Sequence, residues 1–274
     1  MNVDTLIEEA ASALESGDAD SALEKGRQLI DLRHAYGFEV IARAHWQRDE
    51  RAEAVRALAD GVENAPHVWP LWALLGDYSA ESGDKKRARD CYEHVLSIPN
   101  IDAVARAHAL LELGRIDESI AVARAALDTD SAADRRVRAS LHDAIGHALF
   151  AGGDRAGALQ AAWEAIALHP SSEDSMWLIR EIEQRRSPAA RQFRLIVAGE
   201  WDEEVDGQSD AFGFYVSYEV VADDRDEAKE LVLRFEPEEV RSSLIFEDIE
   251  ELDEAADLPK GVYWRSGYVL HDEE

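Results

Sequence analysis

The sequence predicts two kinds of structure in series: an α-helical repeat solenoid over residues 1–186 and a small acidic α+β domain over residues 187–274. Three observations carry this. The stretch 69–100, WPLWALLGDYSAESGDKKRARDCYEHVLSIPN, recurs in weaker forms, its small residue returning as Ala22, Ala54, Ala88, Ser119 and Ala158 at spacings of 32, 34, 31 and 39. Inside that stretch Trp72 and Leu75 lie one helical turn apart on one face, and Gly83-Asp84 breaks the chain. At Ser187-Pro188 the helical period stops, and alternating apolar residues take over.

The block resembles the tetratricopeptide repeat (TPR). Trp72, Leu75 and Gly76 are followed by Ala88 twelve residues after the glycine, Tyr92 four later, and Pro99 at the close. The resemblance implies a helix–turn–helix unit of about 34 residues that needs neighbours to bury its apolar face. Upstream, Phe38, Ile41, Ala42, Ala54, Leu58, Gly61 and Pro66 give a second match over 35–68. Leu6, Ala10, Gly17, Ala22 and Leu29 give a terminal one over 3–34 that lacks the large aromatic. Downstream, 100–131 keeps Gly114 and Ser119 but has Ala103 for the tryptophan. The stretch 139–172 is well formed, with Ile145, Gly146, Gly153, Ala158, Ala162, Ala165 and Pro170. The reading is therefore five repeats. Residues 173–186 then form a capping helix through Leu178, Ile179 and Ile182, with Trp177 on its other side.

After the break, QFRLIVAGEW (192–201) reads as a strand and DEEVDGQSD as a polar loop. Phe212, Phe214, Val216, Tyr218 and Val220 alternate as a half-buried strand. Asp224 and Glu227 resemble a capping box, opening a helix with Ala228, Leu231, Val232 and Phe235 on one face. Two more strands are expected, near 243–250 and in GVYWRSGYVLH, where Ser266-Gly267 reads as a hairpin turn. The order is β-β-α-β-β.

Composition narrows the function. The chain has 29 Lys and Arg against 58 Asp and Glu, a formal charge of −29. Residues 1–190 carry 21 basic and 33 acidic groups, whereas residues 191–274 carry 8 and 25. Such a surface repels phosphate backbones and anionic headgroups, so neither nucleic acid nor membrane is an expected partner. The N-terminal segment is acidic and amphipathic, unlike a secretion leader, and the chain has one cysteine. The expected compartment is the cytoplasm.

Chemistry finds few footholds. Phosphate-loop, nucleophile-elbow and dinucleotide motifs are missing, so the expectation is a non-enzyme without cofactor or metal. Glycine-rich AGGD at 151–154 occupies a repeat turn, and Cys91 falls on a second helix as a small buried hydrophobe. His142 and His147 sit five apart, on different helix faces. The insertion DTDSAADRR opens like a calcium loop at Asp128-x-Asp130 but lacks the central glycine and closing glutamate. The acidic run 247–257 reads as a solvated strand end and loop. Tyr263, Trp264, Tyr268, Arg265 and His271 divide between a packed and an open sheet face.

The TPR resemblance implies a concave groove lined by the first helix of each repeat. Carried onto this chain, the groove positions include Tyr36, Arg43, Trp46, Asp77, His108, Asp143, His147 and Phe150. The Lys and Asn residues with which some members clamp a peptide carboxylate are missing. Trp46 and Phe150 either line the groove or pack between neighbouring repeats. The expected function is a protein- or peptide-binding scaffold. The alternative is an immunity- or inhibitor-type protein whose acidic C-terminal module covers a basic partner.

Overall fold

The computed structural model describes residues 2–129, 134–205, 208–255 and 257–271. Asp130 of the calcium-like stretch, Gly207 and the side chains of Phe212 and His271 lie outside the described part. Ten helices follow in chain order, two to each expected repeat: α1 (Val3–Glu15) and α2 (Ala19–Asp31), α3 (Tyr36–Gln47) and α4 (Arg51–Asn64), α5 (Trp69–Glu81) and α6 (Lys85–Ser97), α7 (Ala103–Glu112) and α8 (Ile116–Thr129), and α9 (Arg135–Ala151) and α10 (Arg155–Leu168). An eleventh, α11 (Glu173–Glu183), follows. No helix among the described residues is long and apolar enough to cross a membrane.

Local chemistry sets these boundaries. Each intra-repeat turn passes through a left-handed residue: Gly17, Gly83, Gly114 and Gly153, but Asp49 in the second repeat, with φ of 60°. Asp18, Asp84 and Asp154 then cap the second helices, accepting from the backbone N–H of Ser21, Arg87 and Gly157. Pro70 in the first turn of α5 forfeits an N–H that has no helical partner anyway. Ser119, the polar member of the small-residue series, is buried and donates to the Ala107 carbonyl at 2.7 Å.

The chain packs as two compact units, Met1–Ser119 and Ile120–Glu274. The first holds its own apolar clusters, one built on Leu6, Ala10, Leu29 and Val40 and another on Leu58, Leu71, Leu75 and Tyr78. In the second, β1 (Arg191–Val205), β2 (Gln208–Ala222), α12 (Arg225–Phe235), β3 (Ile245–Glu254), β4 (Gly261–Arg265) and β5 (Val269–His271) follow α11. The strands form an antiparallel sheet in the order β3-β1-β2-β4, with β5 also on β2. Phe193, Leu195, Val197, Phe214, Val216, Tyr218 and Val220 bury one face, with α12 supplying Ala228, Leu231, Val232 and Phe235.

Three sequence expectations change here. The polar loop is mostly strand: β1 and β2 pair as far as Val205 opposite Gln208, because a long hairpin satisfies its backbone by its own ladder. The proposed GVYWRSGYVLH hairpin does not form. Instead β4 and β5 lie successively along β2, which is long enough to pair with both. Ser266 bridges their break, its N–H donating to the Ser217 carbonyl and its Oγ accepting from the Ser217 N–H, both at 2.9 Å. The acidic run, read as strand end and loop, continues as edge strand as far as Glu254. Helices on one side of residue 187 and strands on the other share apolar contacts. One buried cluster joins Ala162 and Ile166 of α10 and Met176, Leu178 and Ile179 of α11 to the sheet residues.

Asp224 caps α12, accepting from the N–H of Asp226 and Glu227, while Glu227 reaches back to the N–H of Asp223. Helix α11 is pinned to β4 by Arg180, which donates to the Val262 carbonyl and stacks over Tyr263 at 3.9 Å.

Candidate functional site

The eight groove residues of the sequence reading fall into separate groups. On α3, Arg43 pairs with Glu39 at 2.9 Å, one turn before it, and both neighbour Tyr36. Burial, then Glu39, raises the Tyr36 phenol pKa, and Arg43 opposes the shift. Three residues on, Trp46 is half-buried and stacks on Tyr78 of α5, the rings 3.7 Å apart and 12° from parallel. The cation over the other side of Trp46 is Arg51 of α4, 3.7 Å from the ring centroid. Trp46 thus sits between the first helix of the next repeat and the second helix of its own. Trp46 also packs against the apolar cluster of Leu58, Leu71 and Leu75.

Asp77 and His108 come together around Tyr92. The Tyr92 hydroxyl donates to Asp77 Oδ1 at 2.8 Å, and His108 Nε2 lies 3.8 Å from the same oxygen and 3.9 Å from Glu112. The His108 ring stands edge-on to Tyr92 at 6.0 Å. Burial and then the Asp77 charge raise the Tyr92 pKa strongly, so the phenol stays a donor. Polar groups from α5, α6 and α7 are therefore fixed toward one another while His108 and Asp77 keep part of their surface in water.

In the second unit, Asp143 of α9 accepts from Ser172 at 3.0 Å and from Ser175, both at the start of α11. Burial raises its pKa, and the two hydroxyls oppose that shift. His147 lies parallel to Trp177 of α11 at 5.5 Å, and Phe150 meets the same indole edge-on at 6.3 Å. Arg155 stands 5.5 Å from the Phe150 ring. Trp177, set apart from the capping face by its helical angle, is the aromatic that gathers His147 and Phe150, with 43% of its surface exposed.

Sequence reasoning missed Tyr78, Arg51, Tyr92 and Trp177 as members of these groups. Tyr78 had a signal, since it lies on the first helix of a repeat, one residue past Asp77. Arg51 had none: it belongs to the second helix, and only the turn through Asp49 brings its guanidinium over Trp46. Cys91 is buried, and burial pushes its thiol up to about 11, so it is no thiolate at neutral pH.

A tetratricopeptide-repeat family model matches residues 70–101 and 104–132. Among curated proteins, the chain is 23% identical over 214 residues to Superkiller complex protein 3 of Mus musculus. That match spans 64% of this chain and 14% of the relative. A thermophilic TPR protein of Thermus thermophilus superposes with a TM-score of 0.50 at 14% identity, covering 67% of this chain and all of that one. The TPR-like repeats of a kinesin light chain from Podosopora anserina give a TM-score of 0.45 at 17% identity, over 61% of this chain and 93% of that chain. The family model falls on α5–α8, and the helical part of this chain has a TPR-like fold.

Proposed function

We propose that the chain is a non-catalytic scaffold that binds a protein or peptide along the first helices of its repeats. The observation that carries this is the α3–α5–α7 face of the first unit. There Arg43 and half-buried Trp46, and Asp77 with His108, combine an aromatic stack with partly exposed ionic groups. Arg43, with 47% of its side chain exposed, lies three residues before Trp46 on α3, so the two share a helix face.

Selection of random peptides on the immobilised full chain, followed by titration of the selected peptides, tests the reading. Arg43→Gln should weaken the selected peptides by about tenfold, roughly 1.4 kcal/mol, and lower stability by only about 0.3–0.5 kcal/mol, because it removes one partly exposed i,i+4 ion pair with Glu39. Trp46→Ala should cost both binding and about 1–3 kcal/mol of stability, since the ring is held in a stack with Tyr78. Peptides indifferent to both changes would place the binding surface elsewhere.

A further inference from the structure

The sheet has a second face that α12 does not cover. Residues opposite one another on an antiparallel ladder point to the same side, so the pairing register maps this face. One row crosses it as Ile245, Ala198, Tyr215 and Val269, the next as Asp248, Ile196 and Ser217, and a third as Glu250, Arg194, Glu219 and Trp264. Ile245, Val269, Ile196, Tyr215 and Trp264 are all exposed, from 38% to 63% of their surface. They form an apolar strip running across every strand rather than scattered single residues.

Charge says what would cover it. The strip is flanked by β3, in which Glu247, Asp248, Glu250, Glu251, Asp253 and Glu254 make six of ten residues and no residue is basic. Among the described residues of the face the one cation is Arg194, already shared between Glu219 at 3.2 Å and Glu250 at 3.8 Å. A second copy of the same face would bring carboxylates against carboxylates, and an anionic lipid or nucleic acid would be repelled.

We infer that this open face is a docking surface for a basic amphipathic helix of a partner protein. The apolar stripe of that helix lies on Ile196, Tyr215, Val269 and Trp264, and its lysines or arginines lie over Asp248 and Glu250. The surface is separate from the repeat face and does not depend on it.

The test uses the full chain and a synthetic peptide with leucine on one helical face and lysine on the other, against a leucine–glutamate counterpart. Binding is read by fluorescence anisotropy, and amide hydrogen exchange locates it. The expected result is protection confined to the strands of this sheet, at residues 194–198, 215–219, 245–250 and 264–269, no binding of the glutamate peptide, and affinity that falls with salt. Ile196→Glu and Trp264→Ser, both at exposed positions, should each weaken binding about tenfold or more. Glu250→Lys should weaken it and flatten the salt dependence, whereas Glu53→Lys on α4 should leave it unchanged. Protection on the helices of the first unit, equal loss with Glu53→Lys, indifference to Ile196→Glu and Trp264→Ser, or a dimer that buries this face instead would each overturn the inference.

Discussion

Glu236 and Arg265 form an ion pair that no water reaches: Nη2 lies 2.8 Å from Oε1, and the two side chains are 0% and 1% exposed. Arg265 Nε also donates to Oε1 at 3.2 Å and to the Tyr218 hydroxyl at 2.8 Å. Tyr218 in turn donates to Glu236, Tyr268 donates to its other oxygen at 2.6 Å, and Arg265 Nη1 reaches the Ser266 carbonyl at 2.9 Å. Burial and then the Glu236 charge raise both tyrosine pKa values, keeping the phenols as donors. The network ties the end of α12 to β2 and β4, and it works because every member is satisfied.

Removing one partner leaves the other charged, buried and alone. Glu236→Ala should therefore cost about 3–5 kcal/mol, far more than replacing both members of the pair with apolar residues of similar size. Urea denaturation of Glu236→Ala, Arg265→Met and the Glu236→Leu/Arg265→Met double variant checks this. A double variant less stable than either single one would show that the pair itself, and not its desolvation, holds the domain together.

The boundary near residue 187 makes a second case. We propose that a fragment ending at Arg186 keeps its helices but loses the surface against which α10 and α11 pack. Trp163, Ile166, Met176 and Ile179 all belong to the cluster shared with the sheet, and Arg180 loses both Val262 and Tyr263. Circular dichroism should stay helical, with a melting temperature below that of the full chain and increased binding of a hydrophobic dye. An unchanged melting temperature without dye binding would make residue 186 a packing boundary as well.

Local rules explain what was legible in the sequence. Repeat length, turn glycines and the small residue facing the preceding helix are near-neighbour requirements, so they recur at fixed spacing and can be read. The same holds for the Asp224 cap and for the alternation of β2. The Glu236–Arg265 pair joins residues 29 positions apart, and in so acidic a chain no single carboxylate stands out by composition. Trp177 could be assigned a helix face but not a neighbour, because its contacts with His147 and Phe150 depend on how α11 crosses α9. Ser266-Gly267 carries turn chemistry that the length of β2 overrides. The candidate groove was legible as positions and not as groups, since ring stacking and ion pairing are settled only once helices pack.

Asp143 makes a pH-dependent contribution whose sign follows from its surroundings. Burial raises its pKa in the folded state, and Asp174 adds to that, against the Ser175 and Ser172 hydroxyls and His147. A carboxyl with a raised folded pKa holds its proton more tightly when folded. Its stabilising contribution is complete below the unfolded value of about 3.9 and is lost as pH rises through the folded value. Asp143→Asn lacks this titration. Its melting temperature relative to the parent protein should therefore rise between about pH 4 and pH 7. A difference that stays flat over that range, or falls, would show that the two serines outweigh the burial.

Gly26 and Gly37 show how closely α2 and α3 approach. A Cβ placed on Gly37 would stand 2.5 Å from the Gly26 carbonyl oxygen and 2.9 Å from the Ile30 nitrogen, both backbone atoms that cannot rotate away. On Gly26 it would stand 2.7 Å from Ile41 and 3.0 Å from the Gly37 carbonyl. At Gly157, also helical, the nearest atom at 2.5 Å is the Asp154 carboxylate, a side-chain group that can shift at the cost, at most, of its cap bond to the Gly157 N–H. Helix propensity alone would make an alanine at any of these sites stabilising by about 1 kcal/mol. Gly37→Ala should instead destabilise by about 1–3 kcal/mol, because α2 and α3 must move apart and open the core around Leu29 and Val40. Gly157→Ala, where only a side chain must give, should cost clearly less. Chemical denaturation of the two variants decides the matter. A Gly37→Ala protein as stable as its parent would mean that the two backbones separate freely, and close approach would then not be what fixes this helix pair.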